Sequence, residues 1–390
     1  KDTLSISSLD GISIPAFDYR VAAAFTTEEY QWWAIRKKLQ VASQGDGKFA
    51  SIEQRDGYVA APNPHSFYKM LPPASYQSNH PEWYSQNQLD ITKQAVKSAF
   101  VAEARAFLNA NPEAKMVPVT PNDGYGWPDS AHLESDLTAQ EKAGHPRRVR
   151  HHPSVTEAYF EFVSDVATQL KESHPTKFVY ALAYGNYVYP PVLFANVPDN
   201  VIVSVSHYAP ADYSKPISDP SSEPNRRFAD LASTWATKTA IPWMYSYTVK
   251  YALDSLPFPI AWRLSTYIEY IHQLGYTGFY SQGGEGRWGQ YGPHFYVMAK
   301  KLWNPTRAVD ELLATYFGGM AGEGGNTALR GYRTLAQALS DTDDPVNRHP
   351  HTEARQFLPR RFWIQPIRRL LKPKRRLRQI VNVEMSEQCA

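Results

Sequence analysis

The segment KMVPVTPNDGYGWPDS, residues 115–130, turns from an apolar run into a polar stretch that contains glycines. The apolar run is typical of a buried strand, and Asn122 and Asp123 follow it directly. The rings of Tyr125 and Trp127 could desolvate the Asp123 carboxyl, which would raise its pKa toward that of a general acid. Asparagine, aspartate and glycine are also common turn residues, so a plain turn role for Asp123 remains the alternative.

Hydrolysis of a glycosidic bond needs a protonated carboxylic acid at the leaving oxygen and a second group on the opposite face of the sugar. Glu285, beside Arg287 in a glycine-rich run, is the second candidate for a catalytic carboxylate, with a surface glutamate as the alternative. Asp129 and Asp212 are lesser candidates. Rings, amides and an imidazole near predicted strand ends are candidates for binding a sugar: Asn122, Tyr125, Trp127, Tyr184, Asn186, His207, Trp243, Tyr245, Gln282 and Trp288.

Other chemistries find less support in the sequence. His145, His151 and His152 lie in a strongly basic stretch that would repel a cation, so we expect no metal site and no cofactor. No G-x-S-x-G motif is present for a serine nucleophile. The single cysteine, Cys389, is next to the last residue and is unsuited to be a buried nucleophile. No G-x-G-x-x-G follows the first predicted strand, which weakens a dinucleotide-binding interpretation.

The elements that must position these side chains form an alternating series. Strands are predicted over residues 17–25, 65–73, 87–92, 115–123, 177–186, 201–208, 241–249 and 278–285. Helices are clearest over 95–110, 154–175 and 260–275, where apolar residues recur at three- and four-residue spacing. Near-continuous apolar strands with intervening helices indicate a parallel sheet covered on both faces. The sequence therefore predicts a (β/α)8 TIM barrel, whose active site would lie at the C-terminal strand ends.

The barrel is predicted to span residues 1–292, with a helical segment over 293–340 packed on it and a linker and basic tail over 341–390. Residues 355–378 contain ten Arg or Lys and no acid, so subtracting ten from the net charge of +3 leaves −7 for the rest. The basic charge belongs to the tail, and we expect no nucleic-acid partner. The tail could be a disordered arm, a helix on a membrane surface, or a non-native end that results from a change of reading frame. No apolar run approaches the roughly 18 residues of a membrane span.

Aromatic residues are abundant, with 25 Tyr, 10 Trp and 17 Phe. Flat rings with a polar handle suit the apolar faces of sugars, although most such rings in a chain of this size fill the core. Their concentration at predicted strand ends favours an oligosaccharide or polysaccharide as the partner.

Several motifs together resemble a family of bacterial glycan-degrading proteins that carry a domain long catalogued as of unknown function. The motifs are PAFDYR (15–20), HSFYKMLPP (65–73), HPEWY (80–84), TPNDG (120–124), LAYGNYVYPP (182–191), VIVSVSHY (201–208), the aromatic run of the seventh strand (241–249) and MAKKLWNP (298–305). Some members are endo-β-N-acetylglucosaminidases, and the domain is distantly related to α-glucuronidases and β-hexosaminidases. The resemblance covers residues 10 to 335.

This resemblance implies a (β/α)8 barrel, usually preceded by a small α/β domain that this chain lacks, and a periplasmic, cell-surface or secreted location. It also implies a mechanism in which the substrate acetamide is the nucleophile, a carboxylate orients it, and an acid protonates the leaving group. Asp123 matches the polar motif after strand four, but Asn122 stands where a second acid is expected. The partner would then be Glu285, with Tyr245 as helper.

Two alternatives remain open. An exo-acting hydrolase of the α-glucuronidase type would use basic residues to hold a uronate, for which Lys69, Arg263 and Arg287 are the candidates. A catalytically inactive barrel would bind glycan through its aromatic rim.

Overall fold

A six-stranded parallel sheet, in the order β1-β8-β7-β6-β5-β2, forms the centre of the molecule. The computed structural model describes residues 13–22, 28–40, 65–206, 212–249, 258–282 and 288–341. The strands are β1 (Tyr19–Ala22), β2 (Met116–Pro118), β3 (Arg148–Val149), β4 (His152–Pro153), β5 (Phe178–Ala183), β6 (Val201–Ser206), β7 (Ile241–Ser246) and β8 (Gly278–Ser281). Strands β3 and β4 pair with each other as a short antiparallel hairpin outside the main sheet.

Helices pack on the outside of the sheet, and three more helices follow the last strand in the chain. In chain order they are α1 (Glu28–Arg36), α2 (Phe67–Met70), α3 (Pro73–Tyr76), α4 (Gln94–Ala110), α5 (Glu134–Lys142), α6 (Thr156–Ser173), α7 (Glu223–Lys238), α8 (Ala261–Gln273), α9 (Trp288–Trp303), α10 (Val309–Ala321) and α11 (Gly325–Ser340). Helix α4 illustrates the pattern, because Val96, Phe100, Ala104 and Leu108 recur on one face and are buried. The three helices predicted over 95–110, 154–175 and 260–275 are confirmed as α4, α6 and α8.

The sheet curls, so that its two edge strands meet at one interior cluster. Tyr19 of β1 and Met116 of β2 lie in the same buried cluster, together with Tyr180, Ile202 and Trp243. Opposite edges of a flat six-stranded sheet would be about 24 Å apart at the usual strand spacing, too far to share such a cluster. The fold is therefore a mixed α/β fold with a curled parallel sheet in the form of a half-barrel.

Six of the eight predicted strands are confirmed, and two predictions are wrong. Residues 65–73 form α2 and the start of α3, because Pro73 cannot donate to a ladder but suits the first turn of a helix. Residues 87–92 make one isolated antiparallel bridge, between Leu89 and Tyr84. A full eight-stranded barrel is not seen in the described part of the chain. Next to β1, a parallel bridge joins Val21 to Gln40.

Three consecutive helices, α9 to α11, occupy most of the region predicted to be helical over 293–340. Helix α9 runs across position 292, and α10 and α11 pack on it through a second apolar cluster that includes Val297, Leu312, Leu313 and Leu329. The predicted linker and tail lie almost wholly outside the described residues. In the described part, no helix has the length and apolarity that crossing a membrane would require.

Candidate functional site

The loop after β2 is held by the side chain of Gln88, which is fully buried. Gln88 Nε2 donates to the carbonyl oxygen of Asn122 at 2.6 Å and to that of Gly124 at 3.3 Å. Gln88 Oε1 accepts from the backbone N–H of Asn122 at 3.1 Å. One amide side chain therefore satisfies three backbone groups of the loop, which a neighbouring strand would otherwise satisfy.

Asn87 fixes the next part of the same loop. Its Nδ2 donates to the carbonyl oxygen of Asp123 at 2.7 Å, and its Oδ1 accepts from the N–H of Gly126 at 2.9 Å. The side chain of Asn122 donates to the Asn87 carbonyl oxygen at 2.8 Å and accepts from the N–H of Tyr68 at 3.2 Å. Both ends of the Asn122 amide thus bond to backbone, so this candidate sugar-binding residue also holds the loop in place.

The Asp123 side chain is exposed at the end of this rigid loop. The expected desolvation by Trp127 is wrong, because that indole is buried and packs edge-on against Phe67 and Tyr187. Trp127 belongs to the core, where its ring stabilises the base of the loop. Burial raises the pKa of Tyr187 well above its usual value, and the nearby Asp123 carboxylate adds to this shift. Trp127 packs on Tyr187 and Tyr125 lies against Gly185, so the loop that carries Asp123 lies beside the segment that follows β5.

Tyr125 lies flat against the imidazole of His152, with ring centroids 3.7 Å apart and planes 1° apart. His152 belongs to the β3–β4 hairpin, so this hairpin supports the loop from one side. The ring of Tyr125 is half-buried and also lies against Gly185, whose φ of +55° favours glycine. Of the two rings on this loop that are candidates for binding a sugar, Tyr125 has the more accessible surface.

The segment after β5 contributes one accessible ring and one buried amide. Tyr184 is half-buried and packs with Leu182, Tyr245 and Tyr247 in a small cluster near the C-terminal ends of β5 and β7. Asn186 is buried, and its Nδ2 donates to the carbonyl oxygen of Pro153 at 2.6 Å. Asn186 thus ties the β3–β4 hairpin to this loop. It does not present its amide nitrogen to solvent.

The ends of β7 and β8 are joined by a phenol–amide pair. Tyr245 donates its hydroxyl proton to Gln282 Oε1 at 2.8 Å, and the Gln282 N–H bonds to the carbonyl oxygen of Ser246 at 2.8 Å. Burial raises the pKa of Tyr245, and neighbouring tyrosines such as Tyr280 add to the shift. The phenol therefore stays protonated and orients Gln282, which is half-buried.

Trp243 shares the inward face of β7 with Tyr245, as the alternation predicted, but lies one layer deeper. Its ring is buried and stacks on Tyr19 at 4.3 Å between centroids. A sugar at the strand ends could not reach a ring at this depth. The prediction of Trp243 as a sugar contact is therefore corrected to a core residue.

Three predicted site residues cannot be placed against these groups. His207 and Glu285 lie outside the described residues, although they follow β6 and β8 closely in the sequence. Helix α9 begins at Trp288, but the side chain of this residue is not among those that the structure describes. They stay predictions.

The lesser candidates have other roles. Asp212 is buried and accepts hydrogen bonds from Ser214 and Ser222, which fixes the loop after β6. Asp129 is fully exposed and lies 3.7 Å from His132. Among the described residues, no group of three His, Cys, Asp or Glu is arranged to hold a metal ion.

Asn87 and Gln88 were missed by the sequence analysis, and His152 was considered only as a metal ligand. The one available signal was a pair of adjacent amides in a short apolar stretch. The alternation of polar and apolar residues in that stretch indicates a strand with one exposed face. In the structure both faces are buried, since consecutive side chains are enclosed: Gln88, Leu89, Asp90 and Ile91.

Comparison with known proteins identifies the family. Residues 1–334 match a family described as a domain of unknown function, DUF4838. The chain belongs to this family. No curated protein matches the chain.

Two solved structures are among those similar to it. One is a GH138 enzyme targeting pectin rhamnogalacturonan II, with 10% identity and a TM-score of 0.30, covering 64% of this chain. This chain spans only 35% of that enzyme. The other is a glycoside hydrolase family 5 enzyme from Prevotella bryantii in complex with a xyloglucan tetradecasaccharide, with 12% identity and a TM-score of 0.31, covering 76% of this chain and 99% of that one. Similarities this low are not evidence of shared chemistry.

Proposed function

We propose that this DUF4838 protein is a glycoside hydrolase that cleaves an N-acetylhexosamine-containing glycan, with Asp123 as a catalytic carboxylate. The observation that carries the proposal is the position of Asp123. It is an exposed carboxylate at the C-terminal end of a parallel strand, on a loop fixed by the amides of Asn87 and Gln88. Catalytic groups in barrel-type folds occupy this end of the strands.

The acetamide of the substrate would be the nucleophile, and Asp123 would accept its N–H and stabilise the charge that develops on it. Asn122 is not the partner acid, because its side chain is an amide with no acidic proton for the leaving oxygen, and both ends of that amide bond to backbone. Protonation of the leaving oxygen is assigned to Glu285, on the basis of its position after β8 in the sequence.

Gln282 is the second polar group that we assign to the substrate. Its Oε1 accepts the hydroxyl proton of Tyr245, which fixes the orientation of the amide. The Gln282 amide nitrogen would then donate to a sugar hydroxyl or to the acetamide oxygen. Tyr245 is 3% exposed, so its effect on the reaction would be exerted through Gln282.

The test is a substrate screen with the purified full chain. A complex N-glycan, an aryl N-acetyl-β-glucosaminide and glucuronoxylan would be incubated separately, with products identified by mass and anomeric configuration. Products that end in N-acetylhexosamine, with inhibition by an N-acetylglucosamine thiazoline, support the proposal. Release of a uronic acid would contradict it in favour of the exo-acting alternative.

A binding protein without catalytic activity is the second candidate. Of the candidate carboxylates in the described residues, Asp123 and Asp129 are exposed and lie on the same loop after β2, whereas Asp212 is buried and bonded to serines. A single carboxylate can orient a sugar but does not supply the acid–base pair that hydrolysis needs. Glycan binding without any cleavage in the same screen would favour this candidate.

A further inference from the structure

A cleft of about 560 Å³ lies between α8, α10 and α11. Its lining includes Trp262 and Arg263 of α8, Asp310 of α10, and Arg333 and Gln337 of α11. Arg263 was a sequence candidate for holding a uronate, and none of the other candidate site residues lines this cleft. The volume is in the range of cavities that hold small ligands.

One wall of the cleft is a preorganised polar network around Asp310. Its Oδ1 accepts from Trp262 Nε1 at 3.2 Å and from an Arg333 guanidinium nitrogen at 2.9 Å. The Trp262 indole is held from behind by Tyr332, with ring centroids 5.6 Å apart and planes 30° apart. These contacts fix the indole and leave the second carboxylate oxygen of Asp310 available as an acceptor.

Arg263, on the same helix as Trp262, is half-buried and is influenced by the charges of Asp219 and Asp212 without contacting either carboxylate as an ion pair. Its guanidinium donates to Ser340 Oγ at 2.6 Å, and it makes no ion pair with a carboxylate in the described part of the chain. Burial lowers the pKa of Arg263, which Asp219 and Asp212 partly oppose. A single hydrogen bond to a hydroxyl uses only part of the donor capacity of this half-buried guanidinium, which a carboxylate ligand would use more fully.

The two nearest acids are engaged by serines. Asp212 accepts from Ser214 and Ser222, and Asp219 accepts from the backbone and hydroxyl of Ser221. Lys215 donates to the carbonyl oxygen of Ser340 at 3.2 Å, so a second cation contacts the same residue as Arg263. The Arg263 guanidinium therefore keeps N–H groups that these contacts do not use.

We propose that this cleft binds an acidic sugar, a hexuronate unit of a glycan. The sugar carboxylate would form a charge-assisted pair with Arg263, since a guanidinium fork matches a carboxylate in two bonds. The ring would lie beside the Trp262 indole, and its hydroxyls would donate to Asp310 and to the amide oxygen of Gln337. A simple carboxylate such as acetate would bind the Arg263 guanidinium but would make no contact with the Trp262 indole and would donate no hydrogen bond to Asp310 or Gln337.

The experiment is an NMR titration of the full chain with methyl β-glucuronide, with methyl β-glucoside and acetate as matched probes. We expect methyl β-glucuronide to bind at least about tenfold more tightly than either probe. Arg263→Gln should abolish this preference. Arg330→Gln, an exposed arginine on α11, should keep it. Thermal unfolding would establish that both variants fold.

Asp123→Asn should leave the binding of methyl β-glucuronide unchanged, which separates this cleft from the proposed catalytic site. Absence of binding overturns the proposal, and so does equal binding of the glucoside. Equal binding of acetate would show a simple anion site and overturns the assignment of a sugar. A preference that survives Arg263→Gln in a folded protein would also overturn it.

Discussion

The amide of Gln88 pairs with the backbone of Asn122 in both directions, with its nitrogen 2.6 Å from the carbonyl oxygen and its oxygen 3.1 Å from the backbone nitrogen. This is the exchange of hydrogen bonds that a neighbouring strand would make. Strand β2 is only three residues long, and the chain continues from it into the loop that carries Asp123. A buried side chain thus replaces a strand where the proposed catalytic residue is positioned.

Gln88→Leu should destabilise the protein and release the loop. Three hydrogen bonds are lost, and backbone groups of the loop remain without partners, so we expect a loss of about 3 kcal/mol in the free energy of unfolding. Urea denaturation would measure this, and hydrogen exchange should accelerate at residues 122–126. Gln86→Leu, at an exposed position beside it, is the control and should change stability by less than about 0.5 kcal/mol. Unchanged exchange at 122–126 would show that Gln88 does not hold the loop.

Gly126→Ala should be destabilising because the chain passes too close to Asn87. A Cβ at position 126 would lie 2.2 Å from Asn87 Oδ1 and 2.9 Å from the Asn87 backbone nitrogen. Gly318→Ala in α10 meets nothing within 4 Å and should stabilise the helix by about 0.5–1 kcal/mol. Thermal unfolding of the two variants should therefore shift in opposite directions, and a stabilised Gly126→Ala would show that the loop adjusts freely.

Asp123→Asn should abolish turnover while the protein stays folded, because Asp123 is exposed and the amide keeps its shape. Loss of a catalytic carboxylate commonly lowers turnover by about 10²–10⁴-fold. Asp129→Asn removes another exposed carboxylate a few residues along the chain and should retain activity. Turnover on the glycan found in the screen is the measurement. Wild-type turnover in Asp123→Asn would exclude Asp123 as a catalytic residue.

Tyr245→Phe should weaken the site through Gln282. Burial raises the pKa of Tyr245, so the phenol remains a hydrogen-bond donor at neutral pH and in mild base. We therefore expect turnover to fall about tenfold, with no change in the position of the pH profile. The free energy of unfolding should fall by about 1 kcal/mol, and less when Gln282→Leu is already present. Equal losses in both backgrounds would show that the two side chains are not coupled.

The elements that the sequence predicts well are those whose local pattern and burial agree. Strands β5, β6 and β7 are near-continuous apolar runs buried on both faces, and each is found within a few residues of its predicted bounds. Residues 87–92 show the opposite case, because their strand-like alternation comes with side chains buried on both sides. Local pattern alone cannot distinguish a strand from a loop that is enclosed in this way.

The site could be predicted only in part, for a related reason. The strand predicted over 115–123 is confirmed as β2, which ends at Pro118, and its apolar start already indicates that Asp123 lies towards the end of the strand, on the rim side of the sheet. The direction taken by Trp127 depends on packing against Phe67, 60 residues earlier. The hydrogen bonds from Asn87 and Gln88 to the loop span 34 to 39 residues of sequence. Contacts of this range are set by the tertiary fold and leave no periodic signal.

The last prediction concerns His294, which is fully buried in α9 among Phe258, Tyr291 and Phe295. Burial lowers the pKa of His294 from 6.5 to about 3. The folded protein therefore keeps this imidazole neutral between pH 6.5 and 3, whereas the unfolded chain takes up a proton. Since the unfolded state binds more protons in that window, stability is lost as the pH falls below 6.5, by about 1.4 kcal/mol per pH unit.

From pH 7 to pH 5 this single residue should account for a loss of about 2 kcal/mol in the free energy of unfolding. His294→Leu removes the titrating group, so its stability should fall less over that interval, even if it is less stable at pH 7. His151→Asn, at an exposed position with a positive φ that asparagine tolerates, should keep the wild-type dependence. Urea denaturation at pH 7, 6 and 5 measures all three proteins. Parallel curves for wild type and His294→Leu would mean that His294 is not held neutral by the folded protein.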